Sequence, residues 1–205
     1  MEAVGHERIF LDLLERLKHA DLERLAARKG LKPRPDGKVL IESLGASYLV
    51  DRGGVQRLDG GPVRPKEGLA VLGYLFSPGT GEPAGEFVPF RLLGGFNLGR
   101  ATHELRRLKV ALLARFGNDY ASFAAVARKV GGIEEEAPGA GQHAWQFPVF
   151  PKLLVKLVFN EADEDFPPDI HLLFDARALE FFGFECLGFL PDYFVSKLIE
   201  VAREG

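Results

Sequence analysis

The sequence predicts an α+β fold: a single domain on a mainly antiparallel sheet, with helices packed at one face and at the ends. Three observations lead there. Two apolar runs, residues 153–159 and 170–174, face each other across an acidic turn bounded by prolines. Runs of that length, rich in β-branched and aromatic residues, read as strands. Helical periodicities occupy separate stretches elsewhere in the chain. The strands and helices also do not alternate as βαβ units, which argues against a doubly wound parallel sheet. With 205 residues the chain is long enough for one domain, 1–205, with a sizeable core.

The elements follow in order. Over residues 6–19, Ile9, Phe10, Leu13, Leu14 and Leu17 share one helical face opposite charged residues. Asp21 is placed to cap a short helix over 22–29, which Gly30 closes. Residues 38–44, 47–51 and 55–58 form a small antiparallel meander. Its turns fall at Gly45 and Gly53-Gly54, because glycine takes the positive φ of tight hairpin turns. Gly53-Gly54 lacks the lysine and hydroxyl of a phosphate loop. Residues 65–76 form a helix with Pro65 in its first turn. After a loop over 77–85, residues 86–93 are extended, and Pro89 keeps them at an edge.

Gly94-Gly95 turns the chain into the longest helix, 98–116, capped by Asn97. Asn118 or Asp119 caps a further helix over 120–130, stopped by Gly131-Gly132. The stretch 133–144, with Glu134-Glu135-Glu136 and a Pro/Gly-rich run, is expected to be a mobile loop. Pro148 and Pro151 cannot donate to a ladder, so strand pairing is expected only after them. Lys156 and His171 interrupt the two apolar runs and are expected on an open face. Residues 176–182 form a helical turn or short helix. Asp192 is placed to cap a last helix whose stripe is Phe194, Val195, Leu198, Ile199 and Ala202. Phe181, Phe182, Phe184 and Phe189 are dense enough to complete a core or to form a homodimer contact through this C-terminal segment.

The central part of this order resembles a bacterial and archaeal family, catalogued as domain of unknown function 3786. Tyr74, Leu75, Gly85, Glu86, Phe87, Phe90, Arg91, Leu93, Gly94 and Gly95 are similar to its first motif. Pro148, Pro151, Asp163, Asp165, Phe166, Pro167, Leu173, Phe174 and Asp175 are similar to its second. The likeness runs from about Leu22 to the end of the chain. Asp165 stands where the family often has glutamate, which preserves the charge. The resemblance implies no activity. Some relatives are joined to cysteine-rich cluster-binding segments; this chain carries none, so a redox role does not carry over.

Composition limits the chemistry. Acids number 29 and lysine plus arginine 26, a balance that argues against a dedicated nucleic-acid binder. The single cysteine, Cys186, leaves no internal disulfide and no cysteine-ligated cluster within one chain. In Phe184-Glu185-Cys186-Leu187, apolar neighbours and an acid favour an inert thiol over a nucleophile. No apolar run approaches the ~20 residues of a membrane span, and the first residues, acidic and without a long apolar core, are not expected to act as a secretory signal. The expected compartment is the cytoplasm.

Two charge concentrations stand out. Arg100, His103 and Arg107 share a face of the long helix, where five basic residues oppose Glu104 alone. This face is either an anion-contacting surface or a solvated one; no aromatic residues interleave it as stacking platforms for nucleic acid would. The acidic turn is the other. Asp163, Asp165, His171 and Asp175 are its candidate metal ligands, because hard cations need several oxygen ligands held together. Asp163-x-Asp165 resembles the start of a calcium loop but lacks that loop's glycine and distant glutamate. The alternative is a charged hairpin turn that keeps an edge soluble. Acidic turn and basic helix face are expected to lie apart.

No nucleophile elbow and no His-Glu-x-x-His helix is present. The function expected is therefore a non-catalytic binding or accessory domain whose partner is a protein or a small molecule. The alternative is a metal-assisted or acid–base enzyme using residues 161–175 with His171. The sequence names no cofactor.

Overall fold

Glycine- and proline-punctuated strands of this length pair locally, and they do so in two groups. The computed structural model describes residues 2–93, 99–137, 139–183, 186 and 188–204, and the side chains of these except 2–6 and 99–103. The first group is a three-stranded antiparallel sheet of β1 (Val39–Ser43), β2 (Ala46–Asp51) and β3 (Gly54–Arg57). Its first turn is Leu44-Gly45, with φ of 47° and 77°. Two positive φ values match the twist of a two-residue hairpin. Leu44 holds this unfavourable conformation because its side chain is buried. A Cβ on Gly45 would come within 2.6 Å of the Lys129 carbonyl oxygen, so only glycine fits there.

The second group is a five-stranded antiparallel sheet. It comprises β4 (Phe87–Pro89), β5 (Ile133–Glu135), β6 (Gln142–Phe150), β7 (Leu153–Asn160) and β8 (Asp169–Asp175), in the spatial order β4-β8-β7-β6-β5. The two apolar runs are thus neighbours in its middle, with Val158 opposite His171 and Lys156 opposite Leu173. Burial along β7 alternates strictly, so one face is core and the other is half-buried. Lys156 and His171 lie together on that second face, as expected. Lys156 pairs with Glu135 at 2.7 Å and lies over the Phe87 ring.

Around the sheets run α1 (Glu2–Lys18), α2 (Leu22–Arg28), α3 (Pro65–Phe76), α4 (Gly99–Phe116), α5 (Tyr120–Lys129), α6 (Ala178–Phe181) and α7 (Leu190–Glu204). Asp21 and Asp119 cap α2 and α5 by accepting the amides of Arg24 and Ser122. Aromatic contacts seat the helices on one face of the larger sheet. Phe123 of α5 meets Trp145 and Phe159, and Phe194 of α7 meets Phe147. Phe181, Phe182 and Phe189 are buried in the same core, which is continuous across both sheets. Phe184, expected beside them, lies outside the described residues, as do Asn97 and Gly94-Gly95.

Two expectations are corrected, on Pro148 and on Asp192. The meander forms as expected, as a sheet of its own. The Ser43 hydroxyl, at the end of β1, donates to the Val149 carbonyl at 2.7 Å, occupying an acceptor that ladder pairing would use. Pairing begins well before Pro148 and not after it. Pro148 sits inside β6 opposite Leu154, where the register shifts towards Phe150 and the bulge tolerates a missing N–H. Within 133–144, residues 133–135 lie in β5 and residues 142–144 begin β6. The acidic run is held there: Glu134 accepts from the Tyr120 hydroxyl and pairs with Arg128. Finally, α7 starts at Leu190, so Asp192 lies in its first turn, where it pairs with Lys66 and Arg107.

Candidate functional site

The acidic turn is built from its two ends inward. Asn160 and Asp169 close the β7–β8 ladder, and Pro167-Pro168 returns the chain to β8. Within the turn the Asp163 carboxylate accepts the amides of Asp165 and Phe166 at 2.9 and 2.7 Å. Such a self-bonded turn is what short acidic side chains favour. The Glu161 amide donates to the Gly141 carbonyl, which binds the turn to the β5–β6 connection. Between them lies a cleft of about 440 Å³ whose walls include Gly141, Asn160, Glu161, Asp163, Phe166 and Asp169.

Most polar groups of this cleft are already matched. His143 Nε2 lies 2.6 Å from Glu161 Oε1, and the imidazole stacks on Tyr120. Asp169 is paired with Lys109 of α4 and lies 3.0 Å from His171 Nε2. Burial pushes the Asp169 carboxyl up, but Lys109 and the Ile170 amide outweigh it and hold the group below its ordinary value. Asn160 Oδ1 is the exception: it is buried and accepts no hydrogen bond among the described residues. A buried acceptor without a donor costs ~1–3 kcal/mol. At the mouth, Phe166 is 69% exposed.

The predicted metal ligands do not share one place. Asp163 lines the cleft. Asp165 is exposed and gives the turn its amide. His171 lies beside Asp169. Asp175 sits at the far end of β8, fully buried, and accepts the amides of Ala84, Gly85 and Arg177 at 3.1, 2.8 and 2.9 Å. Among the described residues no group of three or more His, Cys, Asp or Glu side chains could hold a metal ion.

The predicted basic face is partly outside the described residues: the side chains of Arg100 and His103 are not among them. Arg107 pairs with Glu104 and, at 3.5 Å, with Asp192 of α7. Lys109, on another side of α4, pairs with Asp169 at the acidic strand end.

Sequence reasoning missed a buried polar network. Glu67, in the first turn of α3, accepts from Lys197 of α7 at 3.1 Å and from the Tyr48 hydroxyl at 3.2 Å. Arg57 Nη1 lies 3.5 Å from the same carboxylate oxygen. The Ser43 and Tyr193 hydroxyls lie 2.8 Å apart, extending the buried set towards β6. The available signal was Lys197, a charge between the stripe residues Val195 and Leu198. Lys29 is also buried. It donates to the Ser77 carbonyl, the Ser77 hydroxyl and the Gly79 carbonyl at 2.9, 2.6 and 3.0 Å. Burial, with Arg28 and Lys152 nearby, lowers its pKa to about 8.

Residues 21–197 match the model of a family described as a domain of unknown function, DUF3786. The chain belongs to this family. No curated protein and no solved structure matches it. The two DUF3786-like motifs meet in space. Phe87 lies opposite Asp175 in the β4–β8 ladder, the Ala176 amide donates to the Glu86 carbonyl, and Phe90 packs edge-on against Phe174 at 5.1 Å. With the Gly85 amide bound by Asp175, these motif residues form the clasp that holds the edge strand. No helix among the described residues is long and apolar enough to cross a membrane.

Proposed function

We propose that this DUF3786 chain is a non-catalytic binding domain. The cleft at the acidic turn receives an ammonium- or guanidinium-bearing group, from a partner protein's lysine or arginine or from a small amine. One observation carries the reading: Asn160, whose buried Oδ1 accepts no hydrogen bond among the described residues, lines the cleft with Glu161, Asp163 and Asp169. A cationic N–H donor in the cleft meets these carboxylates, and a turn of the Asn160 side chain brings it that acceptor as well. The exposed Phe166 ring and Pro167 offer an apolar wall to the alkyl stem of such a group. The reading assumes a cytoplasmic setting.

Support for the non-catalytic part comes from the acids themselves. Asp163 is bonded to its own turn, Asp169 to Lys109, and Asp175 to three amides. General acid–base work instead requires a pair of titratable groups whose environments push their pKa values apart.

Isothermal titration with arginine amide, lysine amide and calcium chloride tests the proposal. The expected result is saturable binding of at least one organic cation. Glu161→Gln should weaken it by about tenfold, the equivalent of one lost charge-assisted hydrogen bond. Binding of calcium alone, or of none of the three, contradicts it.

A further inference from the structure

Arg16, Arg24 and Arg28 converge on one apolar groove, and among the described residues none of them forms an ion pair. Of the other arginines, Arg57, Arg64, Arg107, Arg128 and Arg177 each meet a carboxylate, whereas Arg8, Arg52, Arg91, Arg106 and Arg203 form no ion pair among the described residues but line no shared groove with one another. The groove, about 490 Å³, lies where the end of α1, α2 and the end of α3 come together. Ala20, Leu25 and Phe76 form its floor. Its only acid is Asp21, whose carboxylate is occupied in capping α2.

The frame is firm. Leu13, Leu17, Leu22 and Ala26 anchor α1 and α2 in the core. Lys29 ties the end of α2 to Ser77 and Gly79, just beyond Phe76. Arg24 and Arg28, four residues apart, share one side of α2. The Arg16 guanidinium is held over the Phe76 ring at 4.6 Å, which leaves its N–H edges for a ligand. Arg16 is thus set beside the groove before anything binds, which lowers the ordering cost of binding.

We propose that this groove docks an acidic peptide segment of a partner protein. An apolar side chain of the segment seats on Ala20 and Leu25, and flanking carboxylates meet Arg16, Arg24 and Arg28. Guanidinium groups bind carboxylates bidentately, which favours this match. Nucleic acid fits poorly, because the Phe76 face that would stack a base is covered by Arg16. A small molecule fits poorly too, because the groove is open and does not enclose most of a ligand's surface. The groove shares no residue with the acidic-turn cleft, so the two readings stand or fall separately.

Fluorescence anisotropy tests the proposal with three labelled peptides: one of glutamate and leucine, one with lysine replacing glutamate, and polyglutamate. A single-stranded RNA and vesicles of anionic lipid are run beside them. The wild type should bind the glutamate–leucine peptide most tightly, and more weakly as salt rises. The exposed pair Arg24→Glu, Arg28→Glu should lose about tenfold or more, Arg16→Gln less, and Arg52→Glu on the small sheet nothing. Equal binding by the double variant overturns the proposal. So does polyglutamate binding as tightly as the leucine-bearing peptide, or a preference for RNA or vesicles. Failure of the wild type to bind the peptide also overturns it.

Discussion

Lys197 Nζ donates to Glu67 Oε1 at 3.1 Å, and the two side chains are only 6% and 5% exposed. This pair joins α7 to the first turn of α3 across 130 positions of sequence. A buried carboxylate is tolerable only when its partners replace water. Glu67 has four such partners: Lys197, Arg57, the Tyr48 hydroxyl and the Arg64 amide.

Removing one member should therefore cost more than removing the pair. Lys197→Met is expected to destabilise by about 3 kcal/mol, near the lower end for a broken buried pair because Arg57 remains. Glu67→Gln combined with Lys197→Met should cost less than the sum of the single changes. Urea unfolding of the four proteins measures this, and additive losses would mean that the pair is not coupled.

The same carboxylate sets a pH dependence. Burial pushes Glu67 up, but the Arg64 amide, Lys197 and Arg57 outweigh it and hold it below its ordinary value of 4.5. A folded-state value below the unfolded one adds stability that is complete above the unfolded value. That stability is lost as pH falls through the folded value. The stability gap between wild type and Glu67→Gln should therefore be constant near neutrality and shrink below about pH 4.5. A gap that widens on acidification would reverse the assigned sign.

Asp175 is expected to act as a structural acid. Its carboxylate serves the amides of Ala84, Gly85 and Arg177, which ties the loop before β4 to the end of β8. Asp175→Ala should cost about 3 kcal/mol, more than a single helix cap, because three backbone amides lose one buried acceptor together. An unchanged urea midpoint would show that these bonds are dispensable.

Amide exchange should rank the larger sheet by position. β7 has a strand on each side and a core-facing row of fully buried residues, so its amides should be among the slowest in the chain. β5 lies at the edge and should exchange faster. Fast exchange across Val155 to Phe159 would contradict the central placement.

These features differ in how far the sequence alone revealed them. Local signals were readable: the caps Asp21 and Asp119, Pro65 opening α3, and the apolar runs of β7 and β8. Each depends on neighbours a few positions away. What escaped depends on distant partners. The Ser43 hydroxyl that takes the Val149 carbonyl lies 106 positions from it, and nothing local separates a meander that joins a sheet from one that stands apart. Nothing in the sequence around Glu67 points to its role, since its partner Lys197 lies in another helix. Pro148 argued against a ladder because a bulge was not foreseen. In the acidic turn the residue types were visible, but not that Asp163 serves backbone amides, nor that Asn160 Oδ1 accepts no hydrogen bond among the described residues.

The most direct test of the proposed binding role is nitrogen-15 nuclear magnetic resonance of the labelled chain during titration with arginine amide. The Asn160 side-chain amide and the backbone amides of Gly141, Glu161 and Asp163 should shift together and saturate. The Glu161→Gln protein should need about tenfold more ligand for the same shift. Resonances of these residues that stay fixed, or that move only in proportion to ionic strength, would contradict a cation-binding cleft at the acidic turn.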